Sequence, residues 1–458
     1  MSKYKRYERY KDSGVEWIGE IPEHWEINKL KRLSNIITGN TPPKSEEENY
    51  DDEGIPWVKP DNIQDDGTIS ETKERLSVIG LQKARLIPKS SAIVCCIGTV
   101  GKVGFTQEDC TTNQQINSII FERPSIWNNK YGFYCLCSSK NEHEKYSNKV
   151  VVSILNKTQQ GNILMPVPSL KEQKAIASFL DQKTAEIDDL IADKEKLIEL
   201  LQEKRQVIIT EAVTKGLNPN VRMKDSGVEW IGEIPEHWEI RKLKYLGEAI
   251  IGLTYSPEEI ADEGVLVLRA SNIKNNKIVF DDNVYVNKKV PNKLITRHGD
   301  ILICSRSGSR ELIGKNACID ENSEGFTFGA FMTVFRSKYW RYLYYVFNST
   351  LFKYQSGSFL TSTINQLTIN NLNSFIVPLP PENEQKHICD ILDKKVENID
   401  TLITEIQNQI QKLKEYRQSL ISEAVTGKID VREFGNMSEV IYYEQNNSPC
   451  SEFTHAAE

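Results

Sequence analysis

Residues 304–310, Cys-Ser-Arg-Ser-Gly-Ser-Arg, place two guanidinium groups among serines and a glycine. Guanidinium groups donate paired hydrogen bonds to phosphates and to the edges of bases. Small neighbouring residues let a large ligand come close to the backbone. The segment is therefore a candidate surface for contact with nucleic acid.

One pattern could support phosphodiester cleavage. Pro60-Asp61 is followed by Glu71-Thr72-Lys73, and carboxylate–carboxylate–lysine sets of this kind can hold magnesium. The spacing is loose, is common in charged sequence and has no equivalent in the second half of the chain. No catalytic role is expected there.

Other enzyme motifs are missing from the sequence. Asn218-Pro219 continues into Asn-Val, whereas adenine methyltransferases have Asn or Asp, two prolines and an aromatic residue. No Walker A loop occurs, so no ATP-driven motor is encoded. The nine cysteines form no CxxC pair and indicate free thiols in a reducing cytoplasm. We expect no catalytic residue and no metal site.

The charge is distributed unevenly. The whole chain has a net charge of −7, but residues 241–380 contain 17 Lys and Arg against 12 Asp and Glu. Residues 28–168 are close to neutral, and the acidic excess lies elsewhere. This pattern is compatible with contact with DNA. No apolar run is long enough for a membrane span.

An internal repeat organises the elements that carry these residues. Residues 11–27, KDSGVEWIGEIPEHWEI, return letter for letter as residues 224–240. EQK at 172–174 recurs at 384–386, and EAVT at 211–214 recurs at 423–426. The repeat unit is far longer than that of a solenoid. The sequence therefore predicts one module duplicated within a single chain.

Each module begins with a strand-rich stretch, residues 28–168 and 241–380. Short apolar runs bounded by Gly, Pro and Asn predict strands at 55–63, 91–105 and 113–121. Segments 265–273, 299–309 and 327–335 follow in the same order in the second half. We expect two globular domains of one architecture whose sequences have diverged.

A long helix follows each domain, at residues 169–216 and 382–427. Ser169 and Glu172 match a capping box, and Gly216 and Gly427 are suitable stops. Leu190, Ile191, Leu197 and Ile198 are expected to widen the first apolar seam. About 45 helical residues span roughly 65–70 Å, too long to pack on one small domain. We therefore expect the two helices to pack on each other along seven-residue seams comprising Leu180, Ile187, Leu201 and Ile208, and Leu392, Ile399, Ile406, Leu413 and Leu420.

Taken together, these segments resemble the specificity subunits of type I restriction–modification systems. The resemblance rests on SGVEWIGEIPEHW, the EQK helix starts, the EAVTG ending and the IPWVKPDNI, GTVG and NQQ segments, and it covers residues 11 to about 432. The first helix ends EAVTKG instead of EAVTG. The second half has only degenerate counterparts of the IPWV, GTVG and NQ segments.

The resemblance implies an α+β fold in which two target recognition domains each read half of a split DNA sequence. The long helices would pair as an antiparallel coiled coil that acts as a ruler. Two methyltransferase subunits and two motor–nuclease subunits would join the chain. S-adenosylmethionine, ATP and magnesium would be bound by those partners, and this chain would have no catalytic centre. The implied division is 1–27 N-terminal arm and first repeated segment, 28–168 first recognition domain, 169–216 first spacer helix, 217–240 linker and second repeated segment, 241–380 second recognition domain, 381–430 second spacer helix and 431–458 disordered tail.

Under this interpretation, DNA contacts should come from Lys, Arg, Asn, Gln and Ser side chains at loops and strand ends. The candidates are Lys59, Asn62, Lys102, Asn113 and Gln114 in the first domain, and Arg269, Ser271, Asn272, Ser305, Arg306 and Arg310 in the second. Several belong to segments that resemble family framework, and framework residues cannot select bases. The alternative function is an assembly scaffold whose two halves bind protein or glycan.

Overall fold

The computed structural model of the chain describes residues 4–149, 153–358 and 365–434. The chain divides into two compact units, one comprising Met1–Lys194 with Asn408–Glu458 and the other Glu195–Gln407. Each unit contains one strand-rich domain and parts of both long helices. The predicted disordered tail lies outside the described residues, except for 431–434. For those four residues the prediction is wrong, because Val431 is 3% exposed and its carbonyl accepts a hydrogen bond from Phe434 N.

The first domain is built on a four-stranded antiparallel sheet in the order Asn35–Thr38, Ile116–Ile120, Ala92–Cys95 and Val103–Phe105. A second sheet joins Arg75–Leu76, Tyr50–Val58 and Thr111–Thr112, the last pairing in parallel. Smaller pairs are Glu26–Lys29 with Leu164–Val167 and Asn148–Lys149 with Ser153–Ile154. The helices are Leu30–Leu33, Val78–Gln82, Asn129–Ser138, Lys140–Lys145 and Lys157–Gln160, with 3-10 turns at Glu47–Asn49 and Pro60–Asn62.

The second domain repeats this plan. Its main sheet has the order Glu248–Ile251, Met332–Arg336, Ile301–Cys304 and Asn316–Cys318. A second sheet contains Ile260–Ala261, Tyr285–Val286, Val265–Leu268 and Thr327–Phe328, again with a parallel last pair. Smaller pairs are Glu239–Lys242 with Ile376–Leu379 and Ile273–Lys274 with Lys277–Ile278. The helices are Trp340–Phe347, Thr350–Ser358 and Ile369–Ser374, with 3-10 turns at Leu243–Tyr245, Pro257–Glu259, Ala270–Asn272, Asn292–Leu294 and Arg310–Leu312.

The strand register makes the two domains directly comparable. Cys95 lies opposite Ile116 in the first main sheet, and Cys304 lies opposite Met332 in the second. The strands Ala92–Cys95 and Ile301–Cys304 are buried at every position, as their apolar sequences require. The predicted strand order therefore describes one architecture that occurs twice.

The long helices extend over Leu170–Lys215 and Glu382–Val425. Ser169 and Glu172 form the predicted capping box, because Glu172 N donates to Ser169 Oγ at 3.3 Å and Ser169 N donates to Glu172 Oε2 at 3.2 Å. Gly216 and Gly427 follow the helix ends in the left-handed region, at φ 75° and 70°. The sequence therefore placed the starts and stops of both helices within two residues.

The two helices pair in opposite directions within each unit. In the first unit, Arg417 Nε donates to Asp188 Oδ1 at 2.9 Å and Lys194 Nζ donates to Gln409 Oε1 at 2.7 Å. In the second unit, Arg205 Nε donates to Asp400 Oδ1 at 3.1 Å. As residue numbers rise along one helix, those of its partners fall along the other. The predicted antiparallel pair is confirmed.

The predicted seven-residue period of the apolar seam is confirmed, but the predicted width of the seam is wrong. Leu180, Ile187, Leu392, Ile399, Ile406 and Leu420 are buried, and Leu201, Ile208 and Leu413 are half-buried. The seam is completed at alternating steps of four and three by Thr184, Ile191, Ile198, Ala212, Val396, Ile410 and Ala424. Leu190 and Leu197, predicted to widen the stripe, are 44% and 45% exposed. They lie beside the contact line, where the partner helix does not cover them.

The repeated segment joins each domain to the helices. It forms a hairpin, Tyr10–Asp12 with Glu20–Pro22 in one copy and Met223–Asp225 with Glu233–Pro235 in the other. His24 Nε2 lies 2.8 Å from Glu172 Oε1, and the Trp25 indole donates to the same oxygen at 3.3 Å. In the second copy, His237 and Trp238 contact Glu384 at 2.7 and 3.0 Å. The two histidines therefore anchor each hairpin to the start of a long helix.

The helix ends meet the same segment. A Cβ on Gly427 would lie 2.4 Å from Pro22 Cδ, so only glycine fits there. The N-terminal arm is also packed: Tyr7 is 5% exposed and lies edge-on to Trp25 with ring centroids 5.8 Å apart. Within the described residues, no helix has both the length and the apolar character needed to cross a membrane.

Candidate nucleic-acid interface

The loop after Ile301–Cys304 holds the candidates Ser305, Arg306 and Arg310. Ser305 is 7% exposed, and its hydroxyl donates to Phe331 O at 3.0 Å and accepts from Thr333 Oγ1 at 3.0 Å. Arg306 and Arg310 are exposed. Arg310 begins a 3-10 turn and makes one long contact, 3.5 Å, with Gly357 O. The loop therefore exposes two guanidinium groups, and the hydrogen bonds of Ser305 fix the backbone from which they project.

The neighbouring turn ends at Phe331, directly before Met332–Arg336. Its ring is 59% exposed, although large aromatic side chains are usually covered. The Arg306 guanidinium carbon lies 5.5 Å from the ring centroid. Arg306 and Phe331 thus form one exposed pair that the sequence alone did not indicate.

Arg269, Ser271 and Asn272 lie on the 3-10 turn after Val265–Leu268. Asn272 is fully buried: its Oδ1 accepts from Arg269 N at 2.9 Å, and its Nδ2 donates to Val279 O at 3.1 Å. The Arg269 guanidinium lies 2.7 Å from Asp282 Oδ2. Of these three residues, Ser271 alone is exposed. Asn272 therefore shapes the turn, and the charge of Arg269 is already paired.

The first domain has the same turn with Lys59 and Asn62. Asn62 Oδ1 accepts from Lys59 N at 2.9 Å, and Asn62 Nδ2 donates to Glu71 O at 3.3 Å. Lys59 Nζ lies 2.8 Å from Glu74 Oε2 and 4.6 Å from the centroid of the Trp57 ring. The hydrogen bond from Lys59 lowers the pKa of the Glu74 carboxyl, which favours its carboxylate form. The Lys59 and Arg269 turns are equivalent in backbone and in charge pairing.

The other first-domain candidates are divided between interior and surface. Asn113 is 6% exposed, and its side chain contacts Gln115 by two hydrogen bonds of 2.9 and 3.1 Å. Gln114 is exposed and accepts from the Thr41 hydroxyl. Lys102 is half-buried, with Asp65 3.9 Å from its ammonium group. Gln114 is therefore the first-domain candidate that is best placed to meet a ligand.

The backbone shows which positions in the two domains correspond. Cys96 N donates to Gln115 O at 2.8 Å, as Ser305 N donates to Phe331 O at 3.0 Å. Leu155 N donates to Cys96 O at 2.8 Å, as Leu367 N donates to Ser305 O at 2.7 Å. Gln115 therefore corresponds to Phe331, and Ile97, the residue after Cys96, corresponds to Arg306.

The candidates separate into scaffold and surface. Asn62, Asn113, Asn272 and Ser305 bond their own domain and set the backbone of the turns. Gln114, Ser271, Arg306 and Arg310 are exposed. Sequence analysis missed three further positions: Phe331, and the first-domain residues Ile97 and Gln115, which correspond to Arg306 and Phe331. An alignment of the two halves that started from the paired strands would have found these three positions. Sequence identity is too low there to reveal them directly.

The nuclease-like pattern is not assembled. Glu71 and Lys73 line different depressions, one with Thr106 and Cys110 and the other with Lys44 and Asp51. Over residues 4–149, 153–358 and 365–434, no three His, Cys, Asp or Glu side chains are grouped as a metal site. The geometry offers surfaces for recognition at the loop ends of the strands.

Comparisons with known proteins agree with this geometry. A family model described as type I restriction modification DNA specificity domain matches residues 22–200 and again 235–412. The specificity subunit of type I restriction enzyme MjaVIII from Methanocaldococcus jannaschii is 26% identical over 428 residues, covering 90% of this chain and 94% of the relative. The StySPI specificity subunit from Salmonella potsdam is 24% identical over 433 residues, covering 90% of each chain.

A solved structure shares the fold. One chain from a structure of the type I R-M system superposes with a TM-score of 0.64 at 16% identity. The superposition covers 88% of this chain and 98% of that chain. At this identity the likeness concerns the fold, and it matches the duplicated α+β architecture with long helices.

Proposed function

Because the chain belongs to the family of type I restriction modification DNA specificity proteins, we propose that each strand-rich domain reads one half of a split double-stranded DNA target. The observation that carries the proposal is the duplicated scaffold with different side chains at matching loop positions. Arg306 and Phe331 in one domain correspond to Ile97 and Gln115 in the other. A shared backbone with different surface chemistry suits two readers of different short sequences. A scaffold that binds protein or glycan is not favoured.

The paired long helices act as the ruler between the half-sites. Two linked readers gain specificity through effective concentration only if the linker spans the gap between their sites. A flexible linker would accept many spacings, whereas paired helices with a packed seam are stiff. The helices contain 46 and 44 residues. The target therefore has two specific parts separated by a nonspecific spacer of one length.

Two methyltransferase subunits dock on the chain, one on each module, and two motor–nuclease subunits complete the restriction complex. Identical hairpin tips at residues 13–19 and 226–232 support this stoichiometry. The tips meet different neighbours: Glu16 pairs with Lys145 at 2.9 Å, whereas Trp230 stacks on Tyr354. Because internal packing differs, a common external partner accounts for the identical sequence.

Exposed apolar side chains on the first long helix support docking of partner helices. Leu190, Leu197 and Leu200 are 44%, 45% and 50% exposed. The chain itself contributes recognition and no catalytic step. Its partners supply S-adenosylmethionine for adenine methylation, and ATP and magnesium for motor and nuclease action on DNA in the cytoplasm.

Mapping methylated adenines in the host genome with and without this gene tests the function. The expected result is a split motif, methylated on both strands, that is lost when the gene is deleted and regained when it is restored. An unchanged set of methylated adenines after deletion would overturn the proposal. A salt series of DNA binding by the chain–methyltransferase complex provides a second measurement, because phosphate contacts weaken steeply as salt rises.

A further inference from the structure

We propose that Arg306, held in place by Phe331, reads a guanine in the half-site bound by the second domain. The inference rests on the proposed function and identifies a specificity-determining residue within it. Four observations carry it: the rigid backbone beneath the pair, the exposure of both side chains, the unpaired charge of Arg306 and the different residues at the matching positions of the first domain.

The backbone beneath the pair is fixed by three hydrogen bonds to one carbonyl group. Phe331 O accepts from Ser305 N, Arg306 N and Ser305 Oγ, each at 3.0 Å. Arg306 also forms a β-bridge with Gln366. The loop and the turn are therefore held together, and their side chains start from defined positions.

The side chains of Arg306 and Phe331 project from this backbone and are not needed for packing inside the domain. Phe331 is 59% exposed, so burial does not explain its presence. The flat ring lies 5.5 Å from the guanidinium carbon of Arg306, a distance typical of cation–π contact. Such contact restricts the arginine rotamers and lowers the entropy lost when the arginine binds.

The charge of Arg306 is available for a ligand. Arg269 and Arg336 each lie 2.7 Å from a carboxylate oxygen, on Asp282 and Asp300. Arg306 has no ion pair with any described residue. A guanidinium group donates two parallel hydrogen bonds to guanine O6 and N7, and no other base offers two acceptors in that geometry. Phe331 beside it supplies an apolar contact for a neighbouring thymine methyl group.

The first domain provides an internal comparison. The same backbone bonds place Ile97 and Gln115 where the second domain has Arg306 and Phe331. The first domain has no cation at either position, so an ionic phosphate contact made by Arg306 would have no counterpart there. The two positions therefore vary as base-reading positions do, and the two half-sites differ at the corresponding base pairs.

The test measures methylation by the complex of the full chain with its methyltransferase partner. Substrates are duplexes randomised at one half-site at a time, and the variants are Arg306→Ala, Arg306→Lys, Phe331→Ala and Phe331→Leu. Lys289→Ala is the matched control, because it removes one exposed positive charge from the same domain. Thermal unfolding and co-purification with the partner establish that each variant is folded and assembled.

The expected result is loss of preference for guanine at one position of one half-site. Arg306→Ala should lower discrimination there by about 10- to 100-fold and leave the other half-site unchanged. Arg306→Lys should also lose discrimination, because an ammonium group cannot make the paired contact. Phe331→Ala should weaken discrimination for guanine partly, and Phe331→Leu should weaken it less. Lys289→Ala should leave this discrimination unchanged.

Three results would overturn the inference: no change in base preference, an equal loss on all sequences, or full activity of Arg306→Lys. The last two would identify a phosphate contact. Failure of the proposed function is distinguishable, because the wild-type complex would then methylate no split target.

Discussion

At the residue scale, Glu172 and Glu384 link elements that are far apart in sequence. Each carboxylate contacts a histidine and a tryptophan of the repeated segment, which lie 146 to 148 positions before it. In each copy, the His and Trp of the EHW motif contact the Glu of the EQK motif. This contact explains why both recur together.

We expect Glu172→Gln to lower the free energy of unfolding of the first unit by about 1–3 kcal/mol. Burial opposes ionisation of Glu172, but hydrogen bonds from His24, Ser169 and Trp25 outweigh it and lower the pKa of the carboxyl. The stabilisation is therefore complete above the pKa of the unfolded carboxyl and lost as pH falls through the lower folded value. Urea denaturation at neutral and acidic pH measures both effects.

Asp193→Asn is the control for that variant, since Asp193 is an exposed residue of the same helix within the first unit. Equal stability of Glu172→Gln and wild type at neutral pH would contradict the anchoring role.

A second residue-scale prediction concerns His143, which is fully buried. Burial lowers the pKa of the imidazole to about 4, despite a hydrogen bond to Ser139 O. The unfolded chain takes up this proton near pH 6.5 and the folded chain only near pH 4. Stability should therefore fall between these pH values on acidification, by up to about 3 kcal/mol from this group.

The measurement is urea denaturation from pH 4.5 to pH 7 for wild type, His143→Gln and the exposed-site control His387→Gln. His143→Gln should flatten the pH dependence, and His387→Gln should preserve it. A wild-type slope in His143→Gln would assign the effect to other groups.

At the element scale, the helix pair contains one ion pair in each unit at equivalent positions. Arg417 with Asp188 and Arg205 with Asp400 are related by the 212-residue offset of the seams. Both arginine side chains are 15% exposed. Leaving such a charge unpaired is costly, so these pairs favour one register of the helices.

We expect Asp188→Ala to destabilise the first unit by about 2–4 kcal/mol, because Arg417 would keep its charge at a mostly buried position. Exposed Asp189→Ala, one position away, should have little effect. Exchanging the pair, as Asp188→Arg with Arg417→Asp, should recover part of the loss. Thermal unfolding checks all three, and equal behaviour of the two alanine variants would rule out a role in register.

The ruler is tested by inserting one heptad into both long helices at opposed positions. Seven residues add about 10.5 Å, close to three base pairs of DNA. The methylated motif should keep both half-sites and gain a spacer longer by about three base pairs. An insertion in only one helix should break the seam and lower activity, whereas an unchanged spacer with both insertions would refute the ruler.

At the scale of the whole molecule, each unit contains a domain, a hairpin and segments of both long helices. Each domain has its own sheets and its own exposed loop ends. Recognition in one domain should therefore be independent of side chains in the other.

Replacing residues 28–168 with the corresponding domain of another family member should change one half of the methylated motif. The second half and the spacer should stay as they were, because their determinants lie elsewhere in the chain. Genome-wide mapping of methylated adenines reads both halves at once. The modular interpretation fails if both halves change.

The sequence by itself determined the duplication, both long helices, the capping box at Ser169 and the order of the strands. These features depend on local patterns: seven-residue periodicity, cap residues and short apolar runs. The antiparallel direction of the helix pair and the DNA-specificity role followed from the family resemblance, and the helix contacts and family match agree with them.

Only the tertiary structure decided which candidate residues form scaffold and which form surface. Asn113, Asn272 and Ser305 resemble Gln114, Ser271 and Arg306 in polarity, yet the first three are buried within their domains. Ser305, for example, is covered beside Phe331, 26 positions further along the chain. The tertiary structure likewise paired Arg306 with Phe331, aligned them with Ile97 and Gln115, and left Leu190 and Leu197 exposed. Burial and register depend on contacts between separate segments, so local sequence patterns do not specify them.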